Sequence, residues 1–426
     1  MLLAGTLALV VFFIAIGMPI AFAIGIAAWA YMLMADIPTV IFAQQVVNGP
    51  DSWILLAMPL FILAGGLMNE TGISARLIDF AKAMVGHLRG GLAMVNVVAS
   101  MLFGGISGSA VADTAALGSV LIPAMIKEGY SKDISAAITS SSASIGIIVP
   151  PSIPMIIYGA IASVSVGTLF MAGIVPGILI GLVQMVVLHG LARRFGWGST
   201  VSFSWRRLWQ ALHRAVLGLF MPAIIIGGIL GGVFTPTEAG AVAIVYGIVI
   251  AMVFYRSLSF RGLYRALVNA GILTAIVMII VSTSFTLGWV MAHEMVPQAV
   301  AGWFGSLALA PTSFLIVVSI LLVLLGCILH GDPLLLITVP VLLPAAKTLG
   351  IDPIHFGMVA VLCVAIGQQT PPVGSTLFVV SAISGRNIFT IARANIPLVM
   401  TIVFVLAVVI FFPEVVTWLP RRLGMM

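Results

Sequence analysis

Carboxylates and paired prolines are the residues in this chain whose type and position could do chemistry. Asp113 and Asp332 stand in apolar surroundings, and the pairs Pro150-Pro151 and Pro371-Pro372 interrupt two apolar segments. A carboxylate among apolar residues is costly, so it is a candidate for contact with an ion, a proton or a substrate. A proline removes the hydrogen bond to the carbonyl four residues earlier, which leaves an oxygen free to coordinate a cation.

The two proline pairs predict two cation sites built from neutral oxygens. The first proline of each pair frees the carbonyl of Gly146 or Gly367, and it turns the carbonyl of Val149 or Thr370 away from the helix axis. Such oxygens suit a small monovalent cation, so we expect one sodium ion at each break. The residues expected at the first site are Ser107, Gly108, Ser109, Gly146, Val149 and Pro151. Those expected at the second site are Gly326, Gly367, Thr370 and Pro372.

A further set of polar residues is expected at the substrate or at the tips of hairpins. Its members are Ser107, Asp113, Ser152, His330, Asp332 and Gln369. Structural alternatives stay open: Asp113 could cap a helix, His330 could be a packing residue, and the serine run 140–144 could serve close helix packing. Cys327 and Cys363 stand apart in apolar stretches, so we expect no disulfide, no cofactor and no metal other than sodium.

The composition places these residues in a membrane. Of 426 residues, 62% are apolar and 7% are charged, and the mean hydropathy is +1.27, which is too apolar for a water-soluble core. An all-helical protein with many spans follows. The stretch from Leu2 to Met34 is expected to be a retained span, kinked at Gly17 and Pro19. The net charge of +6 is scattered between apolar segments, which argues against nucleic acid as a partner.

Basic residues set the predicted orientation. If segment 76–89 is cytoplasmic, 15 of the 18 lysines and arginines fall on the cytoplasmic side, as the positive-inside rule requires. The exceptions are Lys347, Arg421 and Arg422.

Two local features fit this orientation. Segments 215–233 and 239–255 predict an outward hairpin, in which Thr235 caps the second helix and Glu238 completes a capping box. Stretch 204–215 alternates apolar and basic residues at helical spacing, which predicts an amphipathic helix on the inner surface.

The chain repeats itself at a constant offset of 221 residues, because glycines and prolines coincide from Gly105 with Gly326 to Pro176 with Pro397. In the charge-based orientation the two copies start on opposite sides, so the repeat is predicted to be inverted, as in many secondary transporters. Polar tips at 104–114 and 330–333 lie between short apolar arms, which predicts two re-entrant hairpins.

The predicted organisation has five parts. They are the first half of a scaffold (1–89), a first transport repeat with its following helix (90–195), an amphipathic arm and the second half of the scaffold (196–310), a second transport repeat (311–395) and a C-terminal span (396–426).

Four segments resemble the large M subunit, the DctM-like subunit, of tripartite ATP-independent periplasmic (TRAP) transporters. They are GGISGSAVADTAALGSVLIPAM (104–125), IVPPSIPMIIYG (148–159), LFMAGIVPG (169–177) and TPTEAGA (235–241). The resemblance implies an elevator mechanism and sodium-coupled uptake of a carboxylate such as a C4-dicarboxylate, sialic acid, keto acid or sugar acid. It also implies a location in the bacterial inner membrane.

Two partners are implied by the same resemblance. One is a periplasmic substrate-binding protein, the P subunit. The other is a small four-helix Q subunit, expected as a separate chain because this chain opens directly with the first span of an M subunit.

Three other functions compete with this reading. A stand-alone sodium-coupled anion carrier would not need a binding protein. An intramembrane serine protease could use the GxSG pattern at 105–108 with His330 as base, although so short a motif arises easily among 44 glycines. A passive channel would have no use for paired ion sites.

Patterns for a zinc protease or for ATP hydrolysis are absent from the sequence, so we expect no enzyme activity and an ion gradient as the energy source.

Overall fold

Helices make up the architecture of this protein, as a computed structural model describes it for residues 2–198, 202–307 and 309–426. Within these ranges no strand is present, so the predicted all-helical class is confirmed. The helices of the first half are α1 Leu2–Ala15, α2 Ile20–Met34, α3 Thr39–Asn48, α4 Ala57–Glu70, α5 Ile73–Val85, α6 Gly91–Ser107, α7 Ala110–Lys127, α8 Lys132–Ala143, α9 Ile153–Ala162 and α10 Val166–Phe195. Those of the second half are α11 Trp205–Leu230, α12 Pro236–Val249, α13 Phe260–His293, α14 Val296–Ser306, α15 Pro311–Gly326, α16 Gly331–Thr348, α17 Pro353–Gly367, α18 Ser375–Ser384, α19 Ile388–Phe411 and α20 Glu414–Arg422.

Several of these helices are long and apolar enough to cross a membrane. They are α7, α10, α11, α12 with the π-helical turn Ile250–Phe254 that follows it, α13 and α19. Shorter apolar helices of 10–17 residues, among them α6, α9, α15, α17 and α18, lie between them. A helix needs about 20 residues to cross the hydrocarbon layer, with a lower limit of about 17. Helices α9 and α18, with 10 residues each, are therefore too short to span it singly.

The N-terminal apolar stretch breaks where a kink was predicted, at Gly17 and Pro19, but it forms two separate helices, so the prediction of a single span is wrong. α1 ends at Ala15, Gly17 has a φ of +87°, and α2 begins only after Pro19. The two helices pack against each other, with Val10 of α1 in the same apolar cluster as residues of α2. Hydropathy could not reveal the break because no polar residue marks it.

The hairpin formed by α11 and α12 agrees with the sequence at its tip. Thr235 accepts a hydrogen bond from the backbone N–H of Glu238, and the Glu238 carboxylate accepts one from the N–H of Thr235 at 2.8 Å, which confirms the capping box. The amphipathic stretch 204–215 is not a separate helix, because α11 runs from Trp205 to Leu230 without interruption. Its basic and aromatic residues form the first turns of that long helix.

Helix boundaries recur at the offset of 221 residues. α7 and α16 coincide from first residue to last, and α8 and α17 begin at equivalent positions. Packing recurs with partners exchanged, because α7 contacts α18 while α16 contacts α9, and α8 contacts α19 while α17 contacts α10. Each copy therefore completes its core with helices from the other copy.

Candidate functional site

The first tip lies between α6 and α7 and is held by a serine and a buried carboxylate. Gly108, with a φ of +63°, ends α6 in a conformation that glycine adopts without a steric penalty, and Ser109 accepts a hydrogen bond from the N–H of Ala112 to start α7. The hydroxyl of Ser107 donates to Oδ1 of Asp113, which is fully buried in the first turn of α7. Oδ2 of Asp113 has no partner among the described residues.

The first helix break packs directly onto this tip. α8 gives way to a tight 3-10 turn at Ser144–Ile147, and α9 begins at Ile153. Ser152 starts α9: its hydroxyl donates to the carbonyl of Ile147 at 2.5 Å and accepts from the N–H of Met155 at 3.3 Å. The N–H of Ile153 donates to the carbonyl of Gly108 at 3.2 Å, so break and tip are joined through the backbone.

Glycines, which have no side chain, allow the first tip and the first helix break to approach each other closely. A Cβ added at Gly146 would collide with the Asp113 carboxyl, and one added at Gly104 would collide with the backbone of Gly146. A Cβ at Gly108 would lie 2.8 Å from the carbonyl oxygen of Pro151. The predicted residues Ser107, Gly108, Gly146 and Pro151 are thus brought together, while Val149 is only half-buried beside them.

The second tip lies between α15 and α16. His330 precedes the first residue of α16, and its Nδ1 is 3.7 Å from Oδ2 of Asp332 in the first turn. Asp332 is buried, whereas the side chain of His330 is 37% exposed. Gly326, at the end of α15, faces Gly367: a Cβ added at Gly367 would lie 2.7–2.9 Å from three backbone atoms of Gly326.

The second break is more open than the first. The carbonyl of Gly367, expected to be free, accepts a hydrogen bond from the N–H of Thr370 at 3.1 Å, and the Thr370 hydroxyl donates to the carbonyl of Ile366 at 2.7 Å. Pro372 is exposed, whereas its counterpart Pro151 is buried. The two predicted cation sites therefore differ in how far the protein encloses them.

Both tips open onto one small cavity of about 30 Å³, lined from the first copy by Gly108 to Val111, Ile147, Ile153 and Pro154 and from the second by His330, Asp332 and Gln368. The N-termini of α7, α9 and α16 all reach it. Unpaired backbone N–H groups at such ends carry partial positive charge, and the cavity can therefore hold an anionic group.

Of the residues predicted at the substrate or at the hairpin tips, His330 and Asp332 line the cavity, whereas Ser107, Asp113, Ser152 and Gln369 do not. The side chain of Gln369 bonds the carbonyl of Ala365 and the amide of Asn395, at 3.1 and 2.9 Å, while its neighbour Gln368 lines the cavity. Sequence reasoning missed Gln368. The only signal for it was the repeat, because the residue 221 positions earlier, Ile147, lines the cavity too.

The serines of the run 140–144 form hydrogen bonds with other groups inside the protein. Ser140 bonds the hydroxyl of Thr376, Ser141 accepts from the amide of Gln184, and Ser142 donates to Asn96, all at 2.8–3.0 Å. Ser144 donates to the carbonyl of Ser140. These contacts favour the packing interpretation of the run over ion ligation.

Comparison with known proteins identifies the family. The family model described as "Tripartite ATP-independent periplasmic transporter, DctM component" matches residues 7–415. The chain belongs to the DctM family of TRAP transporters. A DctM relative from Vibrio cholerae, the sialic acid TRAP transporter large permease protein SiaM, is 40% identical over 406 residues, which is 95% of each chain. The C4-dicarboxylate TRAP transporter large permease protein DctM of Pseudomonas aeruginosa is 42% identical over 375 residues, or 88% of each.

Solved structures agree on the fold of this DctM chain. The YdaH transporter of Alcanivorax borkumensis superimposes with a TM-score of 0.65 over 92% of this chain and 90% of that one, at 16% sequence identity. Membership of a family of membrane permeases argues against the protease alternative. So does the site, where the Ser107 hydroxyl faces Asp113.

Proposed function

We propose that this permease takes up a small organic anion into the cell, driven by sodium and supplied by a periplasmic binding protein. The observation that carries the proposal is the meeting of both tips and three helix N-termini at one cavity. Helix N-termini bind carboxylates without a dedicated arginine. The relatives named for sialic acid and for C4-dicarboxylates agree with a carboxylate as the substrate.

Sodium is proposed to bind at the two helix breaks, with Ser107, Gly108, Ser109, Gly146, Val149 and Pro151 around the first ion and Gly326, Gly367, Thr370 and Pro372 around the second. The first break supports this proposal best. There the tip and the break are joined by the Ile153–Gly108 hydrogen bond, so occupancy of an ion site and the shape of the cavity would change together.

An inverted repeat and an elevator motion complete the mechanism. Two contacts support the inversion: Arg386, just after α18, pairs with Asp133 at the start of α8, and Tyr158 of α9 donates to the carbonyl of Pro353 at the start of α17. The start of α8 thus meets the segment after α18, and the equivalent start of α17 meets α9, the equivalent of α18, so the two contacts are exchanged between the copies as a twofold relation requires.

The moving body is proposed to consist of repeats 90–195 and 311–395, and the scaffold of 1–89 and 196–310. A cavity of about 320 Å³ lies between the two, bordered by Ser284 of α13 and by Leu336 of α16. Incomplete packing at this boundary is compatible with sliding.

We propose that the transporter also contains a Q subunit on a separate chain and that the assembly resides in the bacterial inner membrane. Family membership supports both partners, since the family description names a tripartite, periplasmic system.

Uptake into proteoliposomes tests the proposal. The permease with its Q subunit is reconstituted, and uptake of labelled succinate and sialic acid is followed with and without binding protein and an inward sodium gradient. We expect uptake only when both are present. Uptake without binding protein would show that the chain is a stand-alone carrier. Uptake that does not depend on sodium would contradict the proposal of two sodium sites.

A further inference from the structure

Arg421 and Arg422, which the positive-inside rule leaves unexplained, lie on the short helix α20. This helix follows α19, a span of 24 residues that begins just after Arg386 on the side predicted to be cytoplasmic. A helix of that length crosses the hydrocarbon layer. α20 therefore lies at the outer surface of the membrane, where basic residues are not expected from topology alone.

Another cavity of about 320 Å³ opens beside α20. It lies between the start of α15, the start of α17, the end of α19 and α20 itself. The polar and charged residues that line it are Thr312, Asp352, His355, Glu414, Thr417 and Arg421. Sites for small molecules have volumes of about 300–1,000 Å³, so this cavity is large enough for one small polar group.

The cavity presents charges of both signs that are not paired with each other. Among the described residues, Arg421 forms no ion pair within 4 Å, and neither do Asp352 and Glu414. Asp352 caps α17 through Oδ1, which leaves Oδ2 for a ligand. The cavity therefore offers a guanidinium to an anionic group and two carboxylates to a cationic group of the same ligand.

Exposed aromatic side chains flank the cavity. Phe411 and Phe412 stand between the lining residues Ile410 and Pro413, and both are more than half exposed, as is Trp418 of α20. Aromatic residues at the end of a span mark the boundary between hydrocarbon and headgroups. The cavity thus opens at the depth of the lipid phosphates.

We propose that this cavity binds the headgroup of an outer-leaflet phospholipid that carries a phosphate and a primary ammonium group, as phosphatidylethanolamine does. The phosphate accepts hydrogen bonds from the planar guanidinium of Arg421, whose fork of N–H groups matches phosphate oxygens. The ammonium group donates to the carboxylates of Asp352 and Glu414. The acyl chains leave the cavity beside Phe411 and Phe412. This site is independent of the proposed uptake function.

Other phospholipid headgroups fit this arrangement less well. Phosphatidylglycerol has no cationic group, so its phosphate would be repelled by two carboxylates without compensation. Phosphatidylcholine keeps the positive charge, but its quaternary ammonium has no N–H to donate. Charge and hydrogen bonding together therefore select the primary ammonium.

Native mass spectrometry of the purified permease with its Q subunit tests the proposal by counting retained lipids. The probes are dioleoyl-phosphatidylethanolamine, dioleoyl-phosphatidylcholine and dioleoyl-phosphatidylglycerol, each added to the detergent micelles. We expect the wild type to retain one phosphatidylethanolamine at a mole fraction about tenfold below that needed for the other two lipids, which corresponds to about 1.4 kcal/mol.

Variants assign this lipid to the cavity. R421Q is expected to weaken retention of phosphatidylethanolamine about tenfold, whereas R422Q is the matched control, because Arg422 is also exposed but does not line the cavity. The double variant D352N/E414Q should retain phosphatidylethanolamine and phosphatidylglycerol equally. Asparagine caps helices as well as aspartate does, so α17 keeps its cap in this variant.

Several outcomes would overturn the proposal. They are equal retention of the three lipids by the wild type, equal effects of R421Q and R422Q, and a lipid preference that survives D352N/E414Q. Binding of soluble glycerophosphoethanolamine as tightly as the lipid would exclude a membrane source for the ligand. If R421Q weakened capture of the periplasmic binding protein and left lipid retention unchanged, the cavity would instead be a protein docking site. Sodium-independent uptake would contradict the proposed function but would leave these lipid measurements unaffected.

Discussion

The crossing of α15 and α17 depends on glycine for space. Real Cβ atoms do not approach backbone atoms as closely as one added at Gly367 would approach Gly326, at 2.7–2.9 Å. We expect G367A to destabilise the protein by about 1–3 kcal/mol, the usual cost of overpacking, and to lower the thermal midpoint of the purified permease.

Gly271 of α13 provides the control, because nothing lies within 4 Å of a Cβ added there. G271A should leave the midpoint unchanged or raise it slightly, since alanine favours helix. Equal midpoints for wild type and G367A would mean that the two helices can part freely.

The hydrogen bond between Ser107 and Asp113 ties the end of α6 to the start of α7 at the proposed ion site. We expect S107A and D113N to reduce sodium-driven uptake by about tenfold or more, because removing one partner leaves a buried polar group without its hydrogen bond, which costs about 1–3 kcal/mol. Purified yield and thermal midpoint are measured alongside uptake.

Ser119 supplies the control for these variants, since its hydroxyl lies on the exposed side of α7 and bonds only the carbonyl of Ala116. S119A should transport normally. If S107A and D113N lost folded protein in proportion to uptake, the pair would be a structural cap, the alternative that the sequence left open.

Two glutamines, Gln368 and Gln369, show how far the sequence predicts this site. The double prolines pointed to a segment that borders the cavity, but Gln369 rather than Gln368 was expected there, because periodicity fails where a helix is interrupted. Only coordinates show that Gln369 bonds Asn395 while Gln368 lines the cavity.

At the scale of elements, one ion pair joins the two copies. Arg386 donates two hydrogen bonds to the Asp133 carboxylate, at 2.7 and 2.9 Å, and thereby lowers the pKa of Asp133 below its ordinary value. A lowered pKa in the folded state stabilises the protein at pH values above the ordinary value of 3.8, and this contribution is lost as the pH falls through the lower, folded-state pKa.

We therefore expect D133N to have a lower thermal midpoint than wild type at pH 7, with a difference that shrinks in strong acid and at high salt. A double-mutant cycle with R386Q isolates the pair, and the two effects should be less than additive. Strict additivity would mean that the residues contribute independently and that the pair does not hold the copies together.

Elements were predictable where local chemistry defines them. The capping box of Thr235 and Glu238 is complete within four residues and was confirmed. The kink predicted at Gly17 and Pro19 marks the place where α1 and α2 separate, but the sequence did not show that the chain forms two packed helices there. The continuity of α11 was missed as well, because both features depend on which helices pack beside them.

At the scale of the whole molecule, the elevator proposal requires the boundary between α13 and α16 to move. Cysteines at Ser284 and Leu336, which border the same cavity, can be joined by a bifunctional thiol reagent. We expect this cross-link to abolish uptake into proteoliposomes, because it fastens the proposed moving body to the scaffold.

Cysteines at Asp133 and Thr390 give the matched control, since both residues lie in the proposed moving body and their side chains are 3.2 Å apart. This cross-link should leave uptake intact. Transport that continues through a complete α13–α16 cross-link would rule out sliding at this boundary.

The exchange of packing partners between the copies bears on how the chain is made. α7 finds its neighbour α18, and α9 finds α16, only after much of the second half has been synthesised. Between the end of α9 at Ala162 and the start of α16 at Gly331 lie 331 − 162 − 1 = 168 residues, and between α7 and α18 the interval is longer. At bacterial translation rates of about 5–20 residues per second, the shorter interval alone corresponds to a delay of roughly 8–34 seconds. During that interval the nascent first half stays in the bilayer with its inner faces uncovered, so membrane biogenesis must protect them until the later helices arrive.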